Sequence, residues 1–456
     1  MPADLAVIGL GPFGLPLAQA AVAAGIRTLG YDRVPPPAPG RSTQESGRNT
    51  DAARAVHDTG RAPHESGAAR PAAPAQDAGG CGGLTTADLR RMAAGGPCPG
   101  ADPAQLGRVR TAVICVPTPP GPDGGPGLGP VAEAARALAA RLRPHTTVIL
   151  ESPVPPGTTQ DFLLPLLEAG SGLRAGRDFH LAYSPVRTDP GHRPVGYPAT
   201  PKVIGGLTPA CTESAAAFYG RLTEKVVRAR GPREAETVQL LETNYRHVNI
   251  ALVNEMAVLC HDLGVDIWDV IRCAETKPFG FQAFRPGPGV GGHAVPQDLS
   301  GRLAHGASGP PQTVRTLRMV ELAQQVNNRM PRYVVQRATT LLNEHGKSAR
   351  GAVVLLLGVT YKADLADLQG SPAEEIALRL MELGAAVHYH DPYVPAWTVR
   401  GRPVPRAEGP YEAAAGADLT LLLQHHRTYD LHGLSVKAQL LLDTRGATPA
   451  GSAQRL

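Results

Sequence analysis

Short apolar blocks alternate along the chain with stretches in which apolar positions return every three to four residues. The first block, residues 4–9 (DLAVIG), has strand character and runs into a glycine-rich turn. A helix is expected from about Pro16 to Ala24, then a strand near Thr28–Tyr31 ending at Asp32, which makes a βαβ opening. The pattern lapses from Pro35 to about Gly83, where large apolar residues almost vanish. A stretch of that composition cannot offset its chain entropy by burial, so residues 35–83 are expected to be a disordered insertion with room for a short helix. Order is expected to return with a helix near Thr86–Ala94, a strand at Ala112–Val116, a helix over Val131–Leu142 and a strand at Thr147–Glu151.

Residues 234–264 form one long helical pattern, with apolar Val238, Leu241, Val248, Leu252 and Leu259. At 1.5 Å per residue it would reach on the order of 45 Å, a length typical of a domain connector or dimer interface. The alternation then resumes: strand Ala352–Leu357 ending at Gly358, helix Pro372–Leu383, strand Ala386–His390 ending at Asp391, and strands near Leu419–Leu423 and Gln439–Leu442. The expected fold class is therefore α/β: two Rossmann-like parallel-sheet domains joined by a helical middle domain with a long central helix. The expected division is 1–206, 207–310 and 320–456.

Composition adjusts this picture in a few places. The 456 residues hold 42% hydrophobic residues, enough for more than one core, and length alone suggests two or three domains. A net charge of +5 without a long basic block suits small anionic ligands and gives no case for nucleic acid. Six scattered cysteines with no C-x-x-C pair argue against a disulfide framework or a zinc site and fit a reducing, cytoplasmic compartment. The opening MPADLAVIGLG has no basic-then-apolar signal pattern, and no uncharged apolar run reaches the roughly 18 residues of a membrane span.

The chemistry begins at the first turn. Gly9, Gly11 and Gly14 give G-x-G-x-x-G, with Pro12 and Phe13 between them. The first glycine allows the tight turn, the second lets backbone approach a pyrophosphate, and the third allows close helix–strand packing. The helix N-terminus then offers free N–H groups and the positive end of its dipole. Asp32 follows at the spacing of an acid that accepts the ribose hydroxyls, which favours NAD, whereas Arg33 beside it favours NADP. NAD is the expected cofactor, with no metal.

Further motifs follow in order: GLGPFGLPLA (9–18), ICVPTP (114–119), ESPVPPGTT (151–159), YSPVRTDPG (183–191), KVIGG (202–206), NIALVNE (249–255) and TKPFGF (276–281). PGPGVGGHAVPQD (286–298), LGVTYKADLADLQGSPA (357–373), HDPYVP (390–395) and DTR (443–445) complete the set. With these the chain resembles the UDP-glucose/GDP-mannose dehydrogenase family, nearest its UDP-N-acetylmannosamine branch. The resemblance implies NAD-dependent oxidation of a sugar C6 alcohol to a carboxylate in two hydride transfers, with a thiol holding the aldehyde between them. It also implies a nucleotide-sugar substrate, a C-terminal UDP-binding domain and a homodimer; no nucleic acid or membrane partner is expected.

Several positions depart from what the resemblance implies. Ala294 stands at the nucleophile's place, Gln239 at that of the lysine, Thr243 at that of the asparagine one turn on, and Val186 at that of a glutamate. Gln369 replaces a cofactor-contacting arginine, and Pro153 a threonine. Asn244 is adjacent to Thr243 but points about 100° away on the helix. Cys115 and Cys260 fall in apolar patterns and are expected in the core; Cys273 is expected to be structural. Retained are Thr118 and Asp298 as the water-holding pair, and Arg187, Arg246, His293, Tyr361, Lys362 and Arg445 as contacts to the nucleotide sugar. Gly289, Gly291 and Gly292 are expected to let backbone approach the substrate.

A general base contributes about 10²–10⁴ in rate and one oxyanion donor about 10²–10³, and the two overlap. Loss of base, donor and nucleophile together points away from the four-electron reaction. Two readings stay open: one hydride transfer with Asp298 and a water as base, perhaps with His293, or a silent protein that binds NAD and nucleotide sugar in a regulatory or partner role. A 3-hydroxyacid dehydrogenase would need a lysine on the long helix, and Gln239 argues against it.

Overall fold

The computed structural model describes residues 3–11, 13–32, 103–119, 127–187, 197–292 and 317–456. The insertion expected at 35–83, the helix expected at Thr86–Ala94, and Pro12, Arg33, His293, Ala294 and Asp298 lie outside them.

The N-terminal half builds on β1 (Leu5–Ile8), α1 (Gly14–Ala23), β2 (Thr28–Tyr31), β3 (Thr111–Ile114), α2 (Gly129–Ala139) and β4 (Thr147–Leu150). It continues with α3 (Leu164–Ser171), β5 (His180–Tyr183), β6 (Lys202–Gly206), α4 (Pro209–Tyr219) and β7 (Val226–Arg228). The strands pair as β2-β1-β3-β4-β5-β6-β7, all parallel except β5 against β6. Strands such as LAVI and TVIL lack polar/apolar alternation because helices cover both faces. β1 has β2 on one side and β3 on the other, so the crevice at their carboxyl ends is the switch point where ligands of such sheets bind. This sheet runs past residue 206, where the helical middle is expected to begin, because α4 packs on it and β7 extends its edge.

The middle is α5 (Pro232–Asp262), α6 (Ile267–Glu275) and α7 (Arg318–Glu344). α5 is amphipathic in an inverted sense. Its packed face carries Glu236, Asn244, His247, Ala251, Asn254 and Ala257, while Leu241, Leu252, Leu259 and Leu263 are 69%, 55%, 49% and 67% exposed. α7, with Pro331 inside it, packs along α5 and has no counterpart among the expected elements.

The C-terminal unit comprises β8 (Val353–Leu357), α8 (Pro372–Glu382), β9 (Ala386–His390), the hairpin β10 (Thr398–Val399) and β11 (Arg402–Pro403), and α9 (Pro410–Gly416). β12 (Leu419–Leu422), α10 (Leu431–Lys437), β13 (Leu441–Asp443) and β14 (Gln454–Arg455) complete it. Its main sheet is parallel, in the order β14-β13-β12-β8-β9, with a second switch point between β8 and β12. Two parallel sheets joined by helices is the architecture expected. Among the described residues no helix is long and apolar enough to cross a membrane.

Candidate active site

At the carboxyl end of β1 the three glycines do different work. Gly9 has φ +93°, and a Cβ there would press on the Cys115 carbonyl at 2.9 Å. A Cβ on Gly14 would overlap the Gly9 carbonyl oxygen, which fixes the approach of α1 to the turn. A Cβ on Gly11 would meet nothing within 4 Å, so this is the open side of the turn. α1 follows its N-cap Phe13 without a side-chain cap and without an acid in its first turn, so the positive end of its dipole is not neutralised there, although the Leu15 N–H already donates to the Gly11 carbonyl at 3.1 Å. The Asp32 carboxylate lies at the same end and accepts the Leu10 N–H at 3.0 Å. A dinucleotide fits this turn: glycine space for pyrophosphate, a helix N-terminus for its charge, and an acid for ribose.

The neighbouring strand ends bring a second set of groups together. The Thr118 hydroxyl, after β3, donates to the Pro153 carbonyl at 2.7 Å. The buried Tyr183 hydroxyl lies 2.7 Å from Gln239 Oε1, to which it donates, and 3.3 Å from the Ser152 carbonyl. Thr243 and Val186 are half-buried nearby in sequence. Below Gln239 on α5, the Glu236 carboxylate accepts the N–H groups of Gly157 and Thr159 and the Thr159 hydroxyl, the last at 2.6 Å. That carboxylate caps the π-helical turn Thr158–Leu163 and ties the ESPVPPGTT loop to the central helix. Burial pushes its pKa up, against the lowering effect of those three hydrogen bonds. Glu151 and Lys202 form a buried ion pair beneath these strand ends, and the Cys115 thiol donates to Glu151 at 3.3 Å. Burial first, and Glu151 second, push the Cys115 thiol well up, so it is not a thiolate.

The rim of the second sheet meets the glycine loop of the middle region. The Gly292 N–H donates to the Gln369 carbonyl at 2.8 Å. A Cβ on Gly292 would stand 2.6 Å from the Tyr361 ring, and one on Gly291 2.5 Å from the Gly370 carbonyl. The space left by these glycines is thus filled by the chain's own Tyr361 and Gly370. Gly289 likewise faces Pro372. Gly287 lies against Arg445, whose Nε donates to the Leu423 carbonyl at 2.7 Å. Burial pushes the Arg445 guanidinium down to about 10, against the opposing charge of Asp443. Lys362 is in the loop after β8, its carbonyl accepting the Thr360 hydroxyl at 2.9 Å. The backbone here is held by Asp391, which accepts from Val359 N–H and from His426, both fully enclosed.

The remaining expected contacts are dispersed. The Arg187 guanidinium is spent on the Pro201 carbonyl and the Glu242 carboxylate, each at 2.7 Å. Arg246 is exposed on α5. Cys115 and Cys260 are buried, as expected, but Cys273 is exposed, because α6 turns Ile267, Trp268 and Ile271 inward and residue 273 outward. The expectation that Cys273 is structural is therefore corrected. Among the described residues no group of acids, histidines and cysteines could hold a metal. Tyr183, Glu236 and the Glu151–Lys202 pair are not among the expected site residues. Their signal was a charged or hydroxyl-bearing residue inside an otherwise apolar strand or on the packed face of a helix.

Three models of one family match the chain. The NAD binding domain of the UDP-glucose/GDP-mannose dehydrogenase family matches residues 104–223, its central domain 233–329 and its UDP binding domain 355–450. The first match begins after the Gly9–Gly14 turn, which the sheet nevertheless places beside β3. An NDP-N-acetyl-D-galactosaminuronic acid dehydrogenase from Ralstonia solanacearum is 33% identical over 73% of this chain and 78% of its own. The UDP-N-acetyl-D-mannosamine dehydrogenase of Escherichia coli K12 is 32% identical over 73% of this chain and 80% of its own. Among solved structures, the UDP-D-ManNAc dehydrogenase of Pyrococcus horikoshii superposes with a TM-score of 0.75 at 25% identity, covering 99% of this chain and 98% of that one.

Proposed function

The chain belongs to the UDP-glucose/GDP-mannose dehydrogenase family, and from that premise we propose that it oxidises a UDP-linked N-acetylhexosamine by one hydride transfer, alcohol to aldehyde. The contact that carries this reading is Tyr183 to Gln239. An amide at position 239 can neither take up nor release a proton, and its carbonyl is already committed to the phenol. Ala294 has no nucleophilic atom with which to hold an aldehyde for a second oxidation. NAD, when bound, supplies the hydride acceptor. Gly9, Gly11, Phe13, Gly14 and Asp32 would hold it, with Pro12 and Arg33 completing the turn and the ribose end. Asp298 and Thr118 are the proposed pair holding a water at the reacting carbon; that water and the Asp298 carboxylate take the hydroxyl proton as the hydride leaves. Arg187, Arg246, His293, Tyr361, Lys362 and Arg445 form the proposed nucleotide-sugar path, with Gly291 and Gly292 seating Tyr361 at its edge.

Incubation with NAD and UDP-N-acetylhexosamines, following NADH and product mass together, tests the proposal. One NADH per sugar and an aldehyde product is the expected result. Two NADH and a uronic acid would overturn it. One observation favours the alternative, silent role: the Thr118 hydroxyl and both arms of Arg187 are engaged within the protein. Binding of NAD and sugar without turnover would decide for that reading.

We further propose a homodimer through the leucine face of α5. Leu241, Tyr245, Leu252, Met256, Leu259 and Leu263 recur at helical spacing and are all exposed. Leu252→Glu is expected to convert the dimer to monomer in sedimentation; a wild-type monomer would refute this.

A further inference from the structure

Among the described residues, the packed face of α5 holds two buried polar atoms without a partner: Asn244 Oδ1 and His247 Nε2. The two residues are 9% and 2% exposed, and three positions apart on a helix they are neighbours. Buried polar atoms are nearly always satisfied, so a pair left open beside each other marks a place where something polar is received.

Which proton His247 carries follows from a chain of hydrogen bonds anchored on a backbone amide. The Gly287 N–H can only donate, and it reaches Asn254 Oδ1 at 2.9 Å. Asn254 therefore presents its amide N–H₂ to Asn327 Oδ1, also at 2.9 Å. Asn327 must then present its own N–H₂ to His247, where it lies 3.3 Å from both the carbonyl oxygen and Nδ1. Nδ1 thus accepts, and the proton of the neutral ring sits on Nε2. Desolvation holds the ring below its usual pKa, in keeping with this neutral form. The open pair is accordingly one donor, His247 Nε2–H, beside one acceptor, Asn244 Oδ1.

The pair lies between two ends of the candidate site. Gln239, bonded to Tyr183 at the rim of the first sheet, is about 12 Å back along α5 from His247. Asn254, two turns onward, holds Gly287, which lies against Arg445 at the rim of the second sheet. A nucleotide sugar laid from nicotinamide to UDP site would pass this stretch with its sugar.

We propose that Asn244 and His247 form a binding subsite for one hydroxyl of the sugar, which donates to Asn244 Oδ1 and accepts from His247 Nε2–H. The inference rests on the nucleotide-sugar reading above. It makes His247 a binding residue, not a base, because its only basic nitrogen is occupied by Asn327.

The test is ¹⁵N-histidine NMR on the full chain with NAD, titrated first with UDP and then with UDP-N-acetylglucosamine. A neutral Nε2–H signal for His247, assigned by loss in His247→Ala, should move with the sugar nucleotide and not with UDP. In parallel, Asn244→Leu removes the acceptor while filling its volume. It should weaken UDP-N-acetylglucosamine roughly threefold to tenfold and leave UDP affinity unchanged. UDP binding with no sugar-dependent response, or equal weakening of both ligands, would show that the pair holds only a buried water and overturn the subsite alone. Failure of UDP itself to bind would overturn the subsite together with the nucleotide-sugar reading.

Discussion

Two glycine loops in this chain look alike on paper and are used in opposite ways. At residues 9–14 the outer glycines are packed by the protein's own backbone, while the middle one, Gly11, borders empty space. At 287–292 the clefts that glycine opens are filled from within the chain, Gly292 by the Tyr361 ring and Gly291 by the Gly370 carbonyl. The first loop keeps one glycine open among the described residues; the second brings the middle helices against the second sheet. A missing Cβ is thus a vacancy only where nothing else in the fold has claimed it.

Substitutions to alanine should separate the two uses. Gly14→Ala puts a methyl into the Gly9 carbonyl, and a loss of about 3 kcal/mol or more in urea unfolding is expected, with no NAD binding. Gly292→Ala, at φ +98° and facing an aromatic ring, should cost about 2–3 kcal/mol. Combined with Tyr361→Ala it should recover about 1 kcal/mol of that in a double-mutant cycle, and additive losses would break the claim that Tyr361 fills the cleft. Gly11→Ala should leave stability within about 0.5 kcal/mol yet weaken NAD about tenfold or more by calorimetry. Unchanged NAD affinity would erase the distinction between the loops.

A smaller effect concerns pH. Burial acts to raise the Asp391 pKa, but the His426 hydrogen bond and the N–H groups of Tyr393 and Val359 outweigh it and hold the carboxyl below 3.8. A depressed acid contributes stability that is present above its unfolded pKa and lost as pH falls through the folded one. The rim that carries Tyr361 should therefore weaken below about pH 4. Asp391→Asn should lower stability at neutral pH and flatten the acid limb by on the order of 1 kcal/mol in pH-dependent unfolding.

Much of the fold is legible in the sequence, because a strand buried on both faces is an unbroken apolar run and its ends are punctuated by Gly or Asp. β1, β2, β8 and β9 fall within a residue or two of where the pattern puts them. α7 escaped because Asn327 and Pro331 interrupt the packed stripe that runs from Ala323 to Leu342, and a proline inside the pattern argues against one continuous helix. The site is legible only where its residues are local, as in the nucleotide turn. Tyr183 and Gln239 stand 56 positions apart, and Asn254 and Asn327 stand 73 apart. Those meetings are made by packing, and no spacing rule reports them. The leucine positions on α5 show the converse: their period was plain, but only the packing of α7 reveals that they face outward.

Among the described residues β2 is the outer strand of the first sheet, and the next described element is the 3₁₀ helix Pro103–Arg108 that leads into β3. A crossover between parallel strands needs about a dozen residues. Treated as plain chain, closing the 70 residues of 33–102 costs only about 1.6 kcal/mol more than closing twelve. Such a position is a graft point: sequence can be added, shortened or exchanged there while the nucleotide turn on one side and β3 on the other keep their alignment.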